Sequence, residues 1–208
     1  MEEYWNNRFS EEGQVWGEKP SMTAQIALEY FKKHNIKSVF VPGASYGRNT
    51  KLFSSNGIKT AGIENSEIAY DLAQIFDPKS DIRLGSIYDL PLITQKYDAI
   101  YCLNVLHLFT EKNRHNVLKI CADIVNPHAI LFFVVFSDKE ATFGKGKEIE
   151  PNTFESEPGH PIHYYSETDL KTQFQEFTIL EFGLLEEKEN HGKYGEHIHN
   201  LRYIIAKT

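Results

Sequence analysis

Cysteine is scarce in this 208-residue sequence: there are two, Cys102 and Cys121, and both sit in apolar surroundings. That excludes a disulfide framework and points to a reducing, cytoplasmic setting. Long apolar runs are missing too. The longest nearly uncharged one, 129–136, is far short of the roughly 20 residues that a membrane helix needs. The start, MEEYWNNRFSEEGQ, lacks an apolar signal core. Neither a membrane partner nor export is expected. Positive charge is in deficit, with 22 Lys and Arg against 29 Asp and Glu and a net charge of -7. Phosphate neutralisation needs a basic footprint, so no nucleic acid partner is expected. Neither CxxC, HExxH nor GxGxxG occurs, and there is no internal repeat or low-complexity linker. The 41% hydrophobic and 25% charged fractions are those of an ordinary globular chain. The length suits a single domain.

What is present is an alternation. Apolar runs at 36–41, 59–64, 81–84, 97–103 and 129–136 predict five strands. The last is apolar at every position, as in a strand covered on both faces. Helical spacing falls between them. Ser21 can cap a helix in which Ile26, Ala27, Tyr30 and Phe31 share a face. Helices are also expected over 48–55, over 66–76 with Ile68, Leu72 and Ile75 on one side, and over 111–125, ended by Asn126-Pro127. Strands alternating with helices give an α/β, doubly wound, mostly parallel sheet. A Gly/Pro/His-rich stretch, 144–163, precedes a short helix from about Ser166. Then come 177–182, a polar loop and 201–206. Two strands with no helix between them predict a C-terminal antiparallel β-hairpin at the sheet edge.

In such a sheet ligands bind at the C-terminal ends of the strands. The loop after the first strand is Val41-Pro42-Gly43-Ala44-Ser45-Tyr46-Gly47-Arg48-Asn49. Its small residues let backbone approach a ligand, and the helix that follows favours an anionic group. A plain β–α turn would also look like this. Glu64 ends the second strand, followed by Asn65. A carboxylate there can accept from both hydroxyls of a ribose; the alternative is an acid favoured by a helix N-terminus. After the third strand, Ile87 could pack on a flat base and Ser86 could read its edge, or the segment is an ordinary loop. After the fourth, Leu103, Asn104 and His107 approach the same cleft. His107 is a candidate general base, or a packed loop histidine.

On these residues the sequence resembles the class I S-adenosylmethionine (SAM)-dependent methyltransferases. The resemblance runs over about 36–136 and, in element order, to the hairpin. It implies a Rossmann-like, seven-stranded sheet, SAM as cofactor and S-adenosylhomocysteine as product. It implies cofactor binding by Trp16, Gly43, Ala44, Ser45, Gly47, Arg48, Asn49, Glu64, Asn65, Ser86, Ile87, Leu103 and Asn104. Three positions depart from the family's pattern: Val41 replaces an acid that helps hold the methionine end, Ser45 a glycine and Ser86 an aspartate. The flanks resemble the small-molecule methyltransferases of the tellurite-resistance and thiopurine type, which carry a Trp-rich lead. Residues 1–20, with Trp5, Phe9 and Trp16, would then be a lid over a core at 21–136. Residues 137–208 would be substrate-facing insertions and the hairpin. A small-molecule acceptor and a monomer or homodimer are expected.

Histidine is plentiful, with nine residues, five of them late: His160, His163, His191, His197 and His199. His197 and His199 share one side of an extended segment, near His191, Glu186, Glu187, Glu189 and Glu196. No strong zinc signature matches. A solvated polar loop without a metal is expected, with His191, His197 and His199 the weak ligand candidates. Alternatively, 144–165 and 186–200 line the acceptor pocket, Tyr164 and Tyr165 among them. The rival function is a non-catalytic SAM or nucleoside sensor, eroded at Val41 and Ser45. A nicotinamide oxidoreductase is opposed by the missing GxGxxG and the terminal strand pair.

Overall fold

The structure, a computed structural model, describes residues 2–92, 94–190 and 195–208. Five strands, β1 (Ser38–Pro42), β2 (Lys59–Glu64), β3 (Asp81–Leu84), β4 (Tyr97–Leu103) and β5 (Val125–Phe136), run parallel. Three short strands, β6 (Lys147–Glu150), β7 (Thr153–Glu155) and β8 (Pro161–His163), form a separate antiparallel sheet. The hairpin β9 (Thr178–Asn190) and β10 (Glu196–Lys207) completes the main sheet, in the order β3-β2-β1-β4-β5-β10-β9. β10 lies antiparallel to β5 and to β9. The doubly wound, seven-stranded sheet with its edge hairpin is the one expected.

The helices are α1 (Glu2–Glu12), α2 (Met22–Lys33), α3 (Arg48–Ser55), α4 (Glu67–Phe76), α5 (Glu111–Asp123) and α6 (Glu167–Gln173). Ser21, Ser66 and Ser166 each cap a helix by accepting a hydrogen bond from the amide three residues on. Alternate residues of β5 build the two halves of the core. Leu131, Phe133 and Val135 meet Val117, Leu118 and Cys121 of α5 and Leu170 of α6. Ile130, Phe132 and Val134 meet Ala27 and Phe31 of α2, Phe53 of α3 and Ala73 of α4. A strand apolar at every position is therefore one covered by helices on both sides.

Several expectations are corrected. Ile26 is 42% exposed and Ile75 81% exposed. α2 instead buries Ala24, Ala27, Leu28 and Phe31, and α4 turns Ala69 and Ala73 inward. Asn126-Pro127 does not end α5 but lies within β5. Pairing with β4 slips there, from Tyr97↔Val125 to Ala99↔Ile130. The irregularity accommodates a residue that cannot donate to the ladder, and the Asn126 side chain donates to Asp98. The stretch 144–163 holds β6–β8, which composition did not suggest. The polar loop expected between 182 and 201 is mostly strand. No helix among the described residues is long and apolar enough to cross a membrane.

Candidate active site

A cavity of about 520 Å³ opens at the C-terminal ends of the parallel strands. Its floor is the set of loops that follow β1–β4. Gly43 has φ 63°, and a Cβ there would sit 2.5 Å from Val105 Cγ2. Only glycine lets the loop after β1 close on the loop after β4. Ser45 follows with φ 53°, and its amide donates to Glu64 Oε2 at 2.8 Å. The Ser66 amide donates to Glu64 Oε1, also at 2.8 Å. The Glu64 carboxylate is thus buried and aimed by the backbone. Burial pushes its pKa up, against the pull of the Ser66, Ser45 and Asn65 amides. With about four lone-pair sites and these amides on it, the carboxylate keeps capacity to accept from a further donor.

Two buried polar atoms on this floor, Ser45 Oγ and Asn104 Oδ1, have no hydrogen-bond partner among the described residues. Asn104 also has positive φ, 54°. Left-handed backbone at two non-glycine residues, each with an unsatisfied atom in a cavity wall, marks a surface shaped for a ligand.

Arg48 opens α3, and its guanidinium is buried and already paired. It is ion-paired with Glu189 of β9, and its Nη1 donates to the Trp16 carbonyl at 3.3 Å. Both Arg48 and Glu189 line the cavity. Asn49 lines it as well and accepts from the Ser21 amide at 2.9 Å. The N-terminal segment forms the roof, through Tyr4, Trp5, Arg8, Phe9 and Trp16. Phe9, Tyr46 and Ala69 anchor it in a small core that Trp5 and Trp16 join. At the mouth the Tyr4 ring lies 4.7 Å from the His160 ring.

The cavity wall brings together Trp16, Gly43, Ala44, Ser45, Arg48, Asn49, Glu64, Asn65, Ser86, Ile87, Leu103, Asn104 and His107. Gly47 is not among the lining residues. Its φ of 90° makes the turn into α3, and a Cβ there would meet Asp77 Cβ at 3.1 Å, so this glycine serves the packing of α3 on α4. His107 is in the wall but is fully enclosed. Its Nδ1 accepts from the Phe136 amide at 3.3 Å, and its ring stacks on Phe136 at 4.2 Å. Burial, with His199 and His163 adding to it, pushes its pKa down to about 3. The neutral imidazole is a poor base at neutral pH.

The late histidines divide. His191 lies outside the described residues. His163 is held by Thr153 Oγ1 at 2.8 Å and Asp169 Oδ2 at 2.5 Å, and it is not part of the cavity wall. Tyr164 and Tyr165 do not line the cavity either; both are buried, Tyr165 in the core beside α5 and α6. His160 and His199 do line it. The acids near 190 go elsewhere: Glu187 accepts from the Met22 amide, and Glu196 pairs with Lys188. The carboxylate that meets His197 and His199 is Glu140, from the loop after β5. Arg8 lies in the segment expected as a lid and Glu157 in one expected to line the acceptor pocket, although neither side chain was named; Tyr88 and Phe136 line the cavity without having been expected to.

Residues 41–133 match the model of a methyltransferase domain family. Over that stretch, from the end of β1 to Phe133 of β5, the chain is similar to a methyltransferase domain. Solved structures agree in fold. One, from a study of the conversion of a disulfide bond into a thioacetal group during echinomycin biosynthesis, is 14% identical with a TM-score of 0.77, covering 100% of this chain and 91% of that one. The Burkholderia thailandensis 1,6-didemethyltoxoflavin-N1-methyltransferase, solved with its substrate and S-adenosylhomocysteine, is 15% identical with a TM-score of 0.69, covering 100% and 86%. TehB of Haemophilus influenzae is 15% identical with a TM-score of 0.67, covering 98% and 67%. No curated protein matches the chain in sequence. The loops after β1, β2, β3 and β4 lie within the matched residues and all reach one cavity.

Proposed function

We propose that this chain is a methyltransferase that binds SAM on the floor of the 520 Å³ cavity and passes its methyl group to a small-molecule acceptor held beneath the N-terminal roof. The observation that carries the reading is the buried Glu64 carboxylate, presented by two backbone amides beside the unsatisfied Ser45 Oγ and Asn104 Oδ1. The residues present fit the cofactor. Glu64 would accept from the ribose hydroxyls. Ile87 and Ser86 would meet the adenine. Gly43, Ala44 and Asn104 would approach the methionine portion. Val41 leaves that end without the family's usual acid, but Glu189, beside Arg48 on the same wall, supplies a carboxylate from the hairpin. The Arg48–Glu189 pair offers one charge of each sign, which suits an amino-acid group.

SAM supplies an electrophilic methyl on a sulfonium, so the protein's work is to align donor and acceptor and exclude water. Trp5, Phe9 and Trp16 close the cavity from above. His107, held neutral, positions the wall through Phe136 and does not take the acceptor's proton. An acceptor that reacts as an anion near neutral pH, a thiolate or an oxyanion, needs no such base. The toxoflavin-precursor enzyme, named for a small-molecule substrate, supports an acceptor of that size.

Calorimetric titration with SAM and S-adenosylhomocysteine tests the reading, on the native chain and on Glu64→Gln. Micromolar binding that Glu64→Gln weakens about a hundredfold is the expected result. An acceptor screen starting with thiols and metalloid oxyanions follows. No binding by the folded native chain, or equal binding by the variant, overturns the cofactor assignment.

A further inference from the structure

Beyond the floor and the roof, the cavity has a third wall, where the hairpin meets the loop after β5. His199 belongs to it. The hairpin register sets Glu187 opposite His199 and Glu189 opposite His197. Glu140, Glu187 and Glu189 are all buried here, with Arg48 the buried cation that pairs with Glu189. Glu140 is grouped with the two histidines and not with Arg48: it meets His199, His197 and the Asn200 amide.

We propose that Glu140, His197 and His199 form a site for a divalent cation of the zinc class. Their ligand atoms lie within 4.8 Å of one another. Glu140 Oε1 is 2.8 Å from His199 Nδ1 and 3.4 Å from His197 Nε2. With metal–ligand bonds of about 2.1 Å, those two separations subtend roughly 84° and 108°, between octahedral and tetrahedral values. His197 is 41% exposed on its side chain, so it has room to turn and bring the two imidazoles within bonding span. The carboxylate is already oriented: its other oxygen, Oε2, accepts from the Asn200 amide at 2.6 Å. Metal ligands are aimed by outer hydrogen bonds of this kind. The ring of His199 is further fixed by stacking on Phe136 at 5.0 Å. Two imidazoles and one carboxylate are a donor set suited to zinc, and three protein ligands leave a coordination position open.

His199 faces both the triad and the cavity, so a cation held there would sit at the wall of the space assigned to the acceptor. It would accept an oxygen or sulfur donor of that acceptor. This last step rests on the proposed function; the cation site does not.

The test is titration of the chelator-treated full chain with zinc by calorimetry, and with cobalt(II) by visible absorption, without SAM. One equivalent per chain is expected, with cobalt bands of a low-symmetry nitrogen–oxygen site. His197→Ala, at a half-exposed position, should weaken zinc by more than about tenfold. Glu140→Gln should do the same, and His34→Ala, remote from the triad, should change nothing. SAM is titrated separately into the native chain. If zinc binds and SAM does not, the cofactor reading fails and the metal site stands. Substoichiometric zinc, or zinc binding unchanged in both His197→Ala and Glu140→Gln, overturns the metal site whatever SAM does.

Discussion

The cavity floor and its roof are made of different materials. The floor is backbone: turns after successive strands, with amides aimed at one carboxylate and a glycine where two loops touch. The roof and the third wall are side chains, delivered by α1, by the segment around His160 and by the far ends of the hairpin. A floor of backbone is set by chain geometry and tolerates little change. A roof of aromatic and histidine side chains can be altered one residue at a time. If the proposed function holds, common chemistry belongs on the first and acceptor choice on the second.

Gly43→Ala breaks the floor most severely. The new methyl meets Val105 at 2.5 Å in a left-handed backbone. A loss of about 2 to 5 kcal/mol is expected from strain and overpacking, read by denaturant unfolding, with SAM affinity falling in parallel. Trp16→Ala tests the roof. Trp16 stacks on Tyr46 and lies under the Arg48 guanidinium. Its removal should cost about 1–2 kcal/mol of stability, discounted for half-burial, and roughly five- to tenfold in SAM affinity. Gly43→Ala should lower the unfolding midpoint more than Trp16→Ala does; the reverse order would put the structural weight in the roof.

His107→Asn sharpens the contrast at the smallest scale. The imidazole's value in the folded chain, about 3, lies below its ordinary 6.5. As pH falls, the unfolded chain takes up the proton first. The stability tied to a neutral His107 is therefore whole above pH 6.5 and drains away on the descent toward pH 3. His107→Asn keeps a hydrogen-bond acceptor near the Phe136 amide and should flatten part of that acid loss in pH-dependent unfolding. The shape of the pH–rate profile between pH 6 and 9 should not change. Loss of an acid-side limb there would restore His107 as the general base.

The same contrast explains what the sequence could disclose. The strands at 59–64, 81–84 and 97–103 have the bounds that their apolar runs suggested. The floor residues follow, because a parallel sheet places its strand-end loops together by topology alone. Glu64 needed only its position at the end of β2. Gly47 misled because a turn glycine and a ligand-facing glycine look alike until Asp77 is seen behind it. Ile75 misled because α4 meets its neighbours through alanines, leaving the larger side chain in water. Glu140 carried no local signal for His199, since the two are 59 positions apart. The acids near His197 in sequence looked like its partners, but β9 sends Glu189 to Arg48 and Glu187 to Met22.

Those two bonds also bear on the order in which the molecule can assemble. The Met22 amide at the start of α2 waits for an acceptor 165 positions later, and Arg48 for one 141 positions later. While the chain emerges from the ribosome, β1–β5 can pair and α5 can dock with neither bond made. The Arg48 guanidinium then stays hydrated, and it holds the Trp16 carbonyl only loosely. The roof's own anchor, Phe9 against Tyr46 and Ala69 with Asn6 bonded to Ser66, lies wholly within the first third of the chain, so a truncated chain lacking β9 would keep its roof seated and lose only the brace that Glu189 gives Arg48.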